Sequence, residues 1–403
     1  MDPLLNPYRP GAGTQPPLLT GRDDLISTFE VTLRRTLALQ PSKSLMPIGL
    51  RGVGKTVLLN RFAADAVKLG YEVCSLEAPE GGNLPLLLVA KLRRALYSLD
   101  ATANLRKKIT RTIAQALGVL KSFALSTPDG SKISLDLDPA RGFADSGNLT
   151  EDLTDVLISV GEAARDVESG LMIAIDEIQY LEDSEFASLI TAIHRTTQKD
   201  LPVVLVGTGL PSVPGRVGEA KSYSERLFAF PSIGSLPVDS AKAAVSEPAA
   251  ARGVRFEDGA LDEIIKVTQC YPYFLQEWAS HVWNHAPKTT ITRSDVSAVR
   301  EVVQSALDSN FFLVRLDRLT PAEKDYMRVM AELGAGPHRS ADIAARYGAK
   351  MESVSPLRSQ LIRKGMIYSP AYGDTAFTVP LFDDFLRRVM PAPLAKRQAK
   401  KKS

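Results

Sequence analysis

The sequence predicts an α/β fold, with a mostly parallel sheet covered by helices on both faces and a smaller module after it. Three observations favour this class. Apolar segments with strand character alternate with helical patterns, a glycine-rich loop separates the first strand from the next helix, and the pattern after Thr320 changes to short helices and a hairpin. Alternation of strands and helices is typical of parallel sheets with helical crossovers.

Composition and length indicate an ordinary globular protein of two or three domains. The chain has 403 residues, of which 44% are hydrophobic and 24% are charged. Its two cysteines, Cys74 and Cys270, lie too far apart for a disulfide framework or a metal knuckle, which favours a reducing cytoplasm. No signal-peptide layout and no membrane-length apolar run is present, so we expect a cytoplasmic protein with no membrane contact.

The elements follow in order along the first half. Residues 1–17 are rich in proline and are expected to run as an extended segment over the surface, before a helix over residues 23–39. Strands are expected at 45–50, 72–76, 171–175 and 203–206, with a further candidate at 227–230. Asp129 and Gly130 separate two stretches of strand character, 123–126 and 132–137, which predicts an inserted hairpin near residues 124–145.

Changes in pattern predict the domain boundaries. A core is expected over residues 18–237, a helical lid and linker over 238–317, a C-terminal module over 318–392 and a basic tail over 393–403. The cations of the tail are Lys396, Arg397, Lys400, Lys401 and Lys402. Such a tail either binds polyanions without sequence preference or is a solvated terminus, and the sequence leaves both open.

The stretch GLRGVGKT predicts a phosphate-binding loop. Its fixed positions are Gly49, Gly54, Lys55 and Thr56, and Gly52 adds a further flexible point. Glycines let successive backbone N–H groups point at phosphate oxygens, and a helix N-terminus adds partial positive charge. A lysine here neutralises the β- and γ-phosphates. The expected nucleotide contacts are Gly49, Arg51, Gly52, Val53, Gly54, Lys55, Thr56 and Val57.

A second stretch, LMIAIDEIQYL, predicts the metal side of the same site. Asp176 and Glu177 end an apolar strand, at the sheet edge where ligands bind in folds of this kind. Asp176 and Thr56 are expected to hold Mg²⁺, and Glu177 to polarise the attacking water. Two solvated loop acids are the alternative interpretation. A third stretch, VVLVGTG, ends in Thr208, which either hydrogen-bonds near the γ-phosphate or is an ordinary strand-ending threonine.

The set GLRGVGKT, IDEIQYL, VVLVGTG, SYSERLF and YPYFLQ resembles a P-loop NTPase of the AAA+ type. It is most similar to the archaeal-ATPase branch of the signal-transduction ATPases with numerous domains (STAND), and more distantly to origin-recognition initiators. The resemblance covers about residues 18–285. It implies a helical lid, binding of ATP with Mg²⁺, ATP hydrolysis with release of ADP, and assembly into a homo-oligomer as one option.

The resemblance also implies roles for single residues. Gly21 and Arg22 match the element that passes the adenine, Glu177 the water-activating acid and Thr208 the sensor position. Arg226 resembles the arginine finger that reaches a γ-phosphate, within its own chain or from a neighbour. Arg216 is a rival, and ion pairing of a surface arginine with Glu219 or Glu225 is the alternative. Pro272 matches a lid proline that packs on adenine, although Cys270 stands where the family has glycine.

The C-terminal module resembles a winged helix. Thr320, Pro321 and Glu323 predict a capped first helix, Ser340 and Gly348 bound the second, and the third is expected near residues 352–364. A hairpin around residues 372–374 and a helix over 381–389 follow. In this fold the third helix enters the DNA major groove. The expected contacts to double-stranded DNA are Ser359, Arg363, Lys364 and Arg358.

Two functions from different classes remain open at this stage. The favoured one is an ATP-hydrolysing switch coupled to a DNA-binding module. The alternative is a nucleotide-gated signalling scaffold whose winged helix binds a protein partner. A small-molecule kinase is a third option, disfavoured because the acidic pair comes with no acceptor-binding lid.

Overall fold

The computed structural model describes residues 1–11, 13–79, 83–105, 111–126, 138–221 and 224–392. Its centre is a five-stranded parallel sheet in the order β2-β3-β4-β1-β5. The strands are β1 (Ser44–Leu45), β2 (Tyr71–Glu77), β3 (Gly170–Asp176), β4 (Val203–Gly207) and β5 (Phe228–Ala229). β4 pairs with both β1 and β3, so the loop after β1 and the end of β3 lie close together across one strand, as the motifs predicted.

Helices cover both faces of the sheet, which confirms the predicted α/β class. Alternate residues of β3 belong to two separate hydrophobic clusters, with Met172 and Ala174 in one and Leu171, Ile173 and Ile175 in the other. The first face is covered by α1 (Asp23–Leu37) and α2 (Lys55–Lys68). The second is covered by α3 (Leu84–Leu105), α4 (Arg111–Ser126), α5 (Leu149–Asp166) and α6 (Asp183–Gln198). Two short helices, α7 (Val213–Ala220) and α8 (Ser224–Leu227), precede β5.

The lid follows as a helical unit that begins with α9. Its elements are α9 (Val238–Ala250), β6 (Arg255–Phe256), α10 (Asp258–Thr268), α11 (Pro272–His285), β7 (Thr290–Ile291), α12 (Arg293–Ala298) and α13 (Arg300–Leu307). A π-helical turn, Asp308–Leu313, and the short α14 (Val314–Leu316) continue α13 without a break in helical backbone angles. Lid side chains join the same hydrophobic cluster as the first face of the sheet.

The C-terminal module has three helices, a small sheet and a closing helix. Its elements are α15 (Pro321–Glu332), β8 (His338–Arg339), α16 (Ser340–Tyr347), α17 (Met351–Arg363), β9 (Ile367–Tyr368), β10 (Asp374–Phe377) and α18 (Phe382–Val389). The sheet is antiparallel, in the order β8-β10-β9. Thr320 caps α15 in a capping box with Glu323, and Gly348 ends α16 with φ of 75°. The strand β8 was not predicted.

Several details differ from the expectations. The expected strand 45–50 forms regular pairing only at Ser44–Leu45, because Pro47 has no N–H to donate, and Ile48 makes isolated bridges further on. Residues 123–126, expected as the first strand of an inserted hairpin, are the last turn of α4; the second expected strand, 132–137, lies outside the described residues. Ser340 is not an N-cap, since α16 begins with it and Arg339 occupies the cap.

The N-terminal segment is more ordered than its prolines suggested. Pro3–Leu5 form one 3₁₀ turn, and the amide of Asn6 donates to Ser280 of α11. Tyr8 is 5% exposed, and its hydroxyl donates to the carbonyl of Val245 at 2.5 Å. The segment is therefore attached to the lid through Asn6 and Tyr8. Within the described residues, no helix combines the length and the apolar character that a bilayer crossing requires.

Candidate functional site

The glycine-rich loop connects the end of β1 to α2, and its glycines are needed for its shape. Gly52 and Gly54 have φ of 88° and 91°, in the left-handed region that favours glycine. At Gly49 a Cβ atom would lie 2.3 Å from the carbonyl oxygen of Ile233, so a side chain there would collide with the backbone. The loop thus places the N-terminus of the 14-residue α2 at the sheet edge.

Lys55 is the buried cation of this loop. Lys55 is 5% exposed, and its Nζ donates to the carbonyls of Gly49 and Leu50 at 3.1 Å each. Burial lowers the pKa of Lys55, while the nearby carboxylates of Glu177 and Asp176 act in the opposite direction. An ammonium held in this way favours an anionic ligand, because an anion would offset the cost of burying the charge.

Asp176 joins the two predicted halves of the site. One of its carboxylate oxygens accepts from the Thr56 hydroxyl at 2.5 Å, and the other accepts from the Thr208 hydroxyl and from the backbone N–H of Glu177. Thr208 is fully buried at the end of β4. Thr56, Asp176 and Thr208 come from separate segments, and the two hydroxyls meet at the Asp176 carboxylate. Thr208 itself does not line the cavity next to the loop, and its side chain contacts the site through Asp176.

Glu177 lies directly after β3 in a left-handed conformation, with φ of 50°. This conformation is uncommon for a residue with a Cβ and is enriched at functional sites. The side-chain amide of Gln179 donates to the Glu177 carboxylate, and the amide oxygen of Gln179 accepts from Leu210 at 3.1 Å. Glu177 lines the cavity, so its carboxylate is available at the same edge as Lys55.

A cavity of 440 Å³ opens in front of the loop, a volume typical of small-ligand sites. Core, lid, N-terminal segment and linker all contribute to its walls. The loop residues in its lining are Arg51, Gly52, Val53, Gly54, Lys55, Thr56 and Val57. Gly49, the first residue of the loop and also expected as a nucleotide contact, is absent from the lining, and its N–H donates to the carbonyl of Gly209 at 3.0 Å.

The expected adenine side is partly present. Arg22 and Pro272 line the cavity, and Pro272 is the first residue of α11. Gly21 does not line it, but its φ of 70° provides the turn before Arg22. Cys270 has φ of 57°, which explains why a glycine is usual at its position in the resembled pattern.

Neither arginine-finger candidate lies at the cavity. Arg216 donates to the carbonyls of Gln179 and Leu181 and to Asp183, and its guanidinium stacks over Phe186, so it holds the loop after β3. Arg226 is exposed on α8 and does not line the cavity. A role for Arg226 within its own chain therefore has no support in this arrangement.

The residues expected at DNA fall into two groups. Arg358 donates to Thr375, Ser369 and the carbonyl of Asp374, so it fastens α17 to the hairpin. Lys364 donates to the buried carboxylate of Glu323 at 2.7 Å. Both expected contacts are thus engaged within the module. Ser359 and Arg363 are exposed on α17.

Sequence reasoning missed cavity residues from three other parts of the chain. The N-terminal segment contributes Arg9 and Gly13, and a Cβ on Gly13 would lie 3.1 Å from the Thr56 methyl group. The lid contributes Tyr273, whose N–H donates to the Gly52 carbonyl at 3.2 Å. The linker contributes Phe311 and Arg315. No local pattern marks these residues, because their position depends on how the parts pack together.

The C-terminal module contacts the glycine-rich loop directly. The backbone N–H of Arg51 donates to the carbonyl of Thr378 at 3.2 Å. The Arg51 guanidinium donates to the Tyr180 hydroxyl at 2.5 Å. A Cβ on Gly365 would lie 2.5 Å from Arg51 Nη2, so only glycine permits this approach without a shift. The lid reaches the same residue, since the Tyr271 hydroxyl donates to the Arg51 carbonyl.

Comparisons with known proteins agree with this fold. Residues 18–206 match the family described as AAA ATPase domain, and residues 309–386 match a domain of unknown function, DUF8462. No match was found among curated protein sequences. The fold is similar to the Walker-type ATPase PABY2304 of Pyrococcus abyssi, with a TM-score of 0.58 at 16% identity over 95% of this chain and 99% of the other.

Two further solved structures show a weaker likeness. ORC1 of Aeropyrum pernix, solved in complex with DNA, has a TM-score of 0.45 at 17% identity over 93% of this chain and 94% of its own. The RuvB Holliday junction branch migration motor of Thermotoga maritima has a TM-score of 0.44 at 15% identity, with 88% and 92% covered. The glycine-rich loop, the acidic strand end and the sheet order agree with the match over residues 18–206: this part of the chain has a P-loop NTPase fold of the AAA+ type and is similar to AAA ATPase domains.

Proposed function

We propose that the protein is a molecular switch that binds and hydrolyses ATP with Mg²⁺. The observation that carries this proposal is the meeting of Lys55, Thr56 and Asp176 at one edge of the sheet, although Thr56 and Asp176 are 120 positions apart in the sequence. The cavity beside them has a suitable size for a nucleotide. The AAA ATPase match over residues 18–206 supports the same reaction class.

The site residues have distinct roles in this proposal. Loop N–H groups and Lys55 bind the phosphates. Thr56 and Asp176 offer hard oxygen ligands, which suit Mg²⁺. Among the described residues no group of three or more His, Cys, Asp or Glu side chains could hold a metal ion by itself, so these two oxygens would share the ion with phosphate and water. When bound, the ion neutralises charge that develops on the phosphates.

Glu177 is the proposed general base for the attacking water. Its carboxylate is close enough to Lys55 to influence the pKa of the ammonium, and it lines the cavity. The hydrogen bond from Gln179 holds this carboxylate in one orientation. Thr208 positions Asp176, which in turn accepts the N–H of Glu177, so these groups form one connected network at the ends of β3 and β4.

Two substitutions test the assigned roles. Lys55→Ala should abolish ATP binding, because the phosphates lose their buried cation. Glu177→Gln should keep ATP binding and reduce hydrolysis by about 10²-fold or more, since the amide cannot accept a proton from water. Binding is measured by isothermal titration calorimetry and hydrolysis by phosphate release. A wild-type chain without measurable ATP binding, or equal loss of binding in both variants, would contradict the proposal.

For the output of the switch we propose double-stranded DNA as the partner of the C-terminal module. The order helix, strand, helix, helix, strand, strand with an antiparallel sheet supports a winged helix, in which α17 takes the recognition position. Ser359, Gln360 and Arg363 are exposed along α17 and free to meet a groove. The basic residues 396–402, which lie outside the described residues, would add phosphate contacts.

A specific observation favours a second candidate, a protein partner in place of DNA. The internal hydrogen bonds of Arg358 and Lys364 reduce the number of cations available on this face, and Glu352 is exposed near the start of α17. A nucleotide-gated scaffold would bind a protein partner through the same surface of α17, and this binding would not depend on many exposed cations.

Salt dependence separates the two candidates. Binding to duplex DNA should weaken steeply with added salt, and Arg363→Ala should reduce both the affinity and the slope against salt, because one phosphate or base contact is lost. Fluorescence anisotropy at several salt concentrations measures both quantities. Absent binding, or binding without salt dependence, would support the protein-partner candidate. Glu352→Gln is the opposite control, expected to strengthen DNA binding.

A trans role for Arg226 also belongs to this proposal. Its exposure on α8 suits a contact with the nucleotide of a neighbouring copy and gives no contact with the cavity of its own chain. The switch would then work as a homo-oligomer.

A further inference from the structure

Arg315 lines the same cavity as Lys55 but comes from a different part of the chain. It lies in α14, within the residues that match the domain of unknown function and beyond the end of the AAA ATPase match at residue 206. The proposed ATPase roles do not use it. Its presence means that the nucleotide cavity is built in part by the second matched domain.

An aromatic stack fixes Arg315 against the phosphate-binding loop. Its guanidinium carbon lies 4.0 Å from the centre of the Phe311 ring, and it also donates to the Phe311 carbonyl. Phe311 stacks on Tyr273 with ring centres 4.5 Å apart and an angle of 20°. The N–H of Tyr273 donates to the Gly52 carbonyl at 3.2 Å. The chain of contacts therefore runs from the loop to the guanidinium without a gap, and it restricts where the cation points.

The charge of Arg315 is not balanced by an acid. No described Asp or Glu forms an ion pair with it, and the charged groups nearest to it include the cations Arg51 and Arg318. Burial, and after it the charge of the neighbouring Arg51, lower the pKa of Arg315 to about 10. A guanidinium that is partly buried beside another cation is costly, and a polyanion in the cavity would offset that cost.

We propose that Arg315 binds the terminal phosphates of the nucleotide and is the contact through which the C-terminal domain senses them. This inference rests on the proposed ATP binding. The terminal phosphates are the expected target because Arg315 lines the same cavity as Lys55, Thr56 and Glu177, which are the residues proposed to act at the phosphates, and lies near Arg51 of the loop. Planar guanidinium groups suit phosphate oxygens because they offer paired N–H donors.

The surroundings of Arg315 connect this contact to the C-terminal module. Phe312, next to the stacked Phe311, packs on Phe385 of α18 with ring centres 5.1 Å apart. Asp308, in the same π-helical turn, forms an ion pair with Arg388 at 2.6 Å. A shift of Arg315 towards a phosphate would therefore act on the turn that holds α18.

The test compares Arg315→Gln with Arg318→Gln in the full chain. Both remove one positive charge from the same segment, but Arg318 is exposed and does not line the cavity. With Mg²⁺ present, Arg315→Gln should weaken ATP binding by about ten-fold and leave AMP binding nearly unchanged, because AMP lacks the terminal phosphates. Arg318→Gln should bind both nucleotides as the wild type does. Arg315→Lys should recover part of the loss, since it keeps the charge without the planar fork.

Calorimetry gives the dissociation constants, and thermal melting of the nucleotide-free variants reports on folding. If Arg315→Gln binds ATP as tightly as the wild type, the inference is wrong while the proposed ATP binding stands. Equal weakening for ATP and AMP, or a lower melting temperature without nucleotide, would show a role in cavity structure and would also overturn it. A wild-type chain that binds no ATP would instead contradict the proposed function.

Discussion

The buried charge of Lys55 lowers the stability of the nucleotide-free protein. Its ammonium is almost fully buried and is satisfied by two backbone carbonyls, and no carboxylate reaches it within ion-pair distance among the described residues. The lowered pKa of Lys55 expresses the preference of its surroundings for the neutral amine. A phosphate ligand reverses this preference, so the same charge that destabilises the free protein favours the complex.

The pH dependence of stability tests this argument. The pKa of Lys55 is lower in the folded state than in the unfolded chain. Between these two pKa values the unfolded state binds more protons than the folded state, so the free energy of unfolding of the wild type increases as the pH rises through this range. Nucleotide-free Lys55→Met should therefore unfold at higher urea than the wild type at neutral pH. The difference in unfolding free energy should shrink as the pH rises above the lowered pKa of Lys55 and approaches the ordinary lysine value of about 10.4.

Exposed Lys288 gives the matched control, because Lys288→Met removes a lysine from a surface loop without a change in burial. The free energy of unfolding of Lys288→Met should stay close to that of the wild type across the pH range. A Lys55→Met protein less stable than the wild type at neutral pH would mean that the two carbonyl hydrogen bonds outweigh the burial cost of the charge.

At the scale of elements, α17 is held by the residues first expected to reach DNA. Burial alone raises the pKa of Glu323, but hydrogen bonds from Lys364 and Thr320 outweigh it and leave the pKa below its ordinary value. Lys364 thus joins the end of α17 to the start of α15, and Arg358 joins its middle to the hairpin. Loss of DNA binding on substitution of either residue would report on folding, which is why Arg363 is the informative position.

The sequence was sufficient for elements whose signals are local. The glycine positions of the loop, the acids after β3 and the capping box of α15 each depend on a few adjacent residues, and each was found in its predicted place. Strand character alone was misleading at 123–126, where an apolar stretch continues α4 and packs in the core. Short apolar stretches fit helix and strand equally, and packing decides between them.

The site was predictable on its core side and, in the lid, at Pro272, for a related reason. Lys55, Thr56 and Asp176 are placed by the sheet order, which alternation of strands and helices already implies. Arg9, Tyr273 and Arg315 reach the cavity through contacts between separate parts of the chain. The partners of Arg358 and Lys364 were likewise not predictable, because a side chain on a helix flank turns inward or outward according to what packs beside it.

In the whole molecule, three parts of the chain meet at Arg51. The lid contacts its carbonyl through Tyr271, the core contacts its guanidinium through Tyr180, and the C-terminal module contacts its N–H through Thr378. Arg51 belongs to the phosphate-binding loop and lines the cavity. A ligand that changes the loop must therefore act on contacts with the lid and the C-terminal module, as the proposed switch requires.

Hydrogen exchange tests this coupling. Because ATP would contact both core and lid, it should favour the closed arrangement and slow amide exchange in residues 49–57 of the loop and in residues 365–378 of the C-terminal module. Exchange in α5, which packs on the opposite face of the sheet, serves as the internal control and should not change. Glu177→Gln keeps ATP intact during the measurement, and Lys55→Ala should show no response. Slower exchange in the loop with unchanged exchange at 365–378 would show that the module does not sense the nucleotide, because the Arg51 contact would then be independent of what the loop binds.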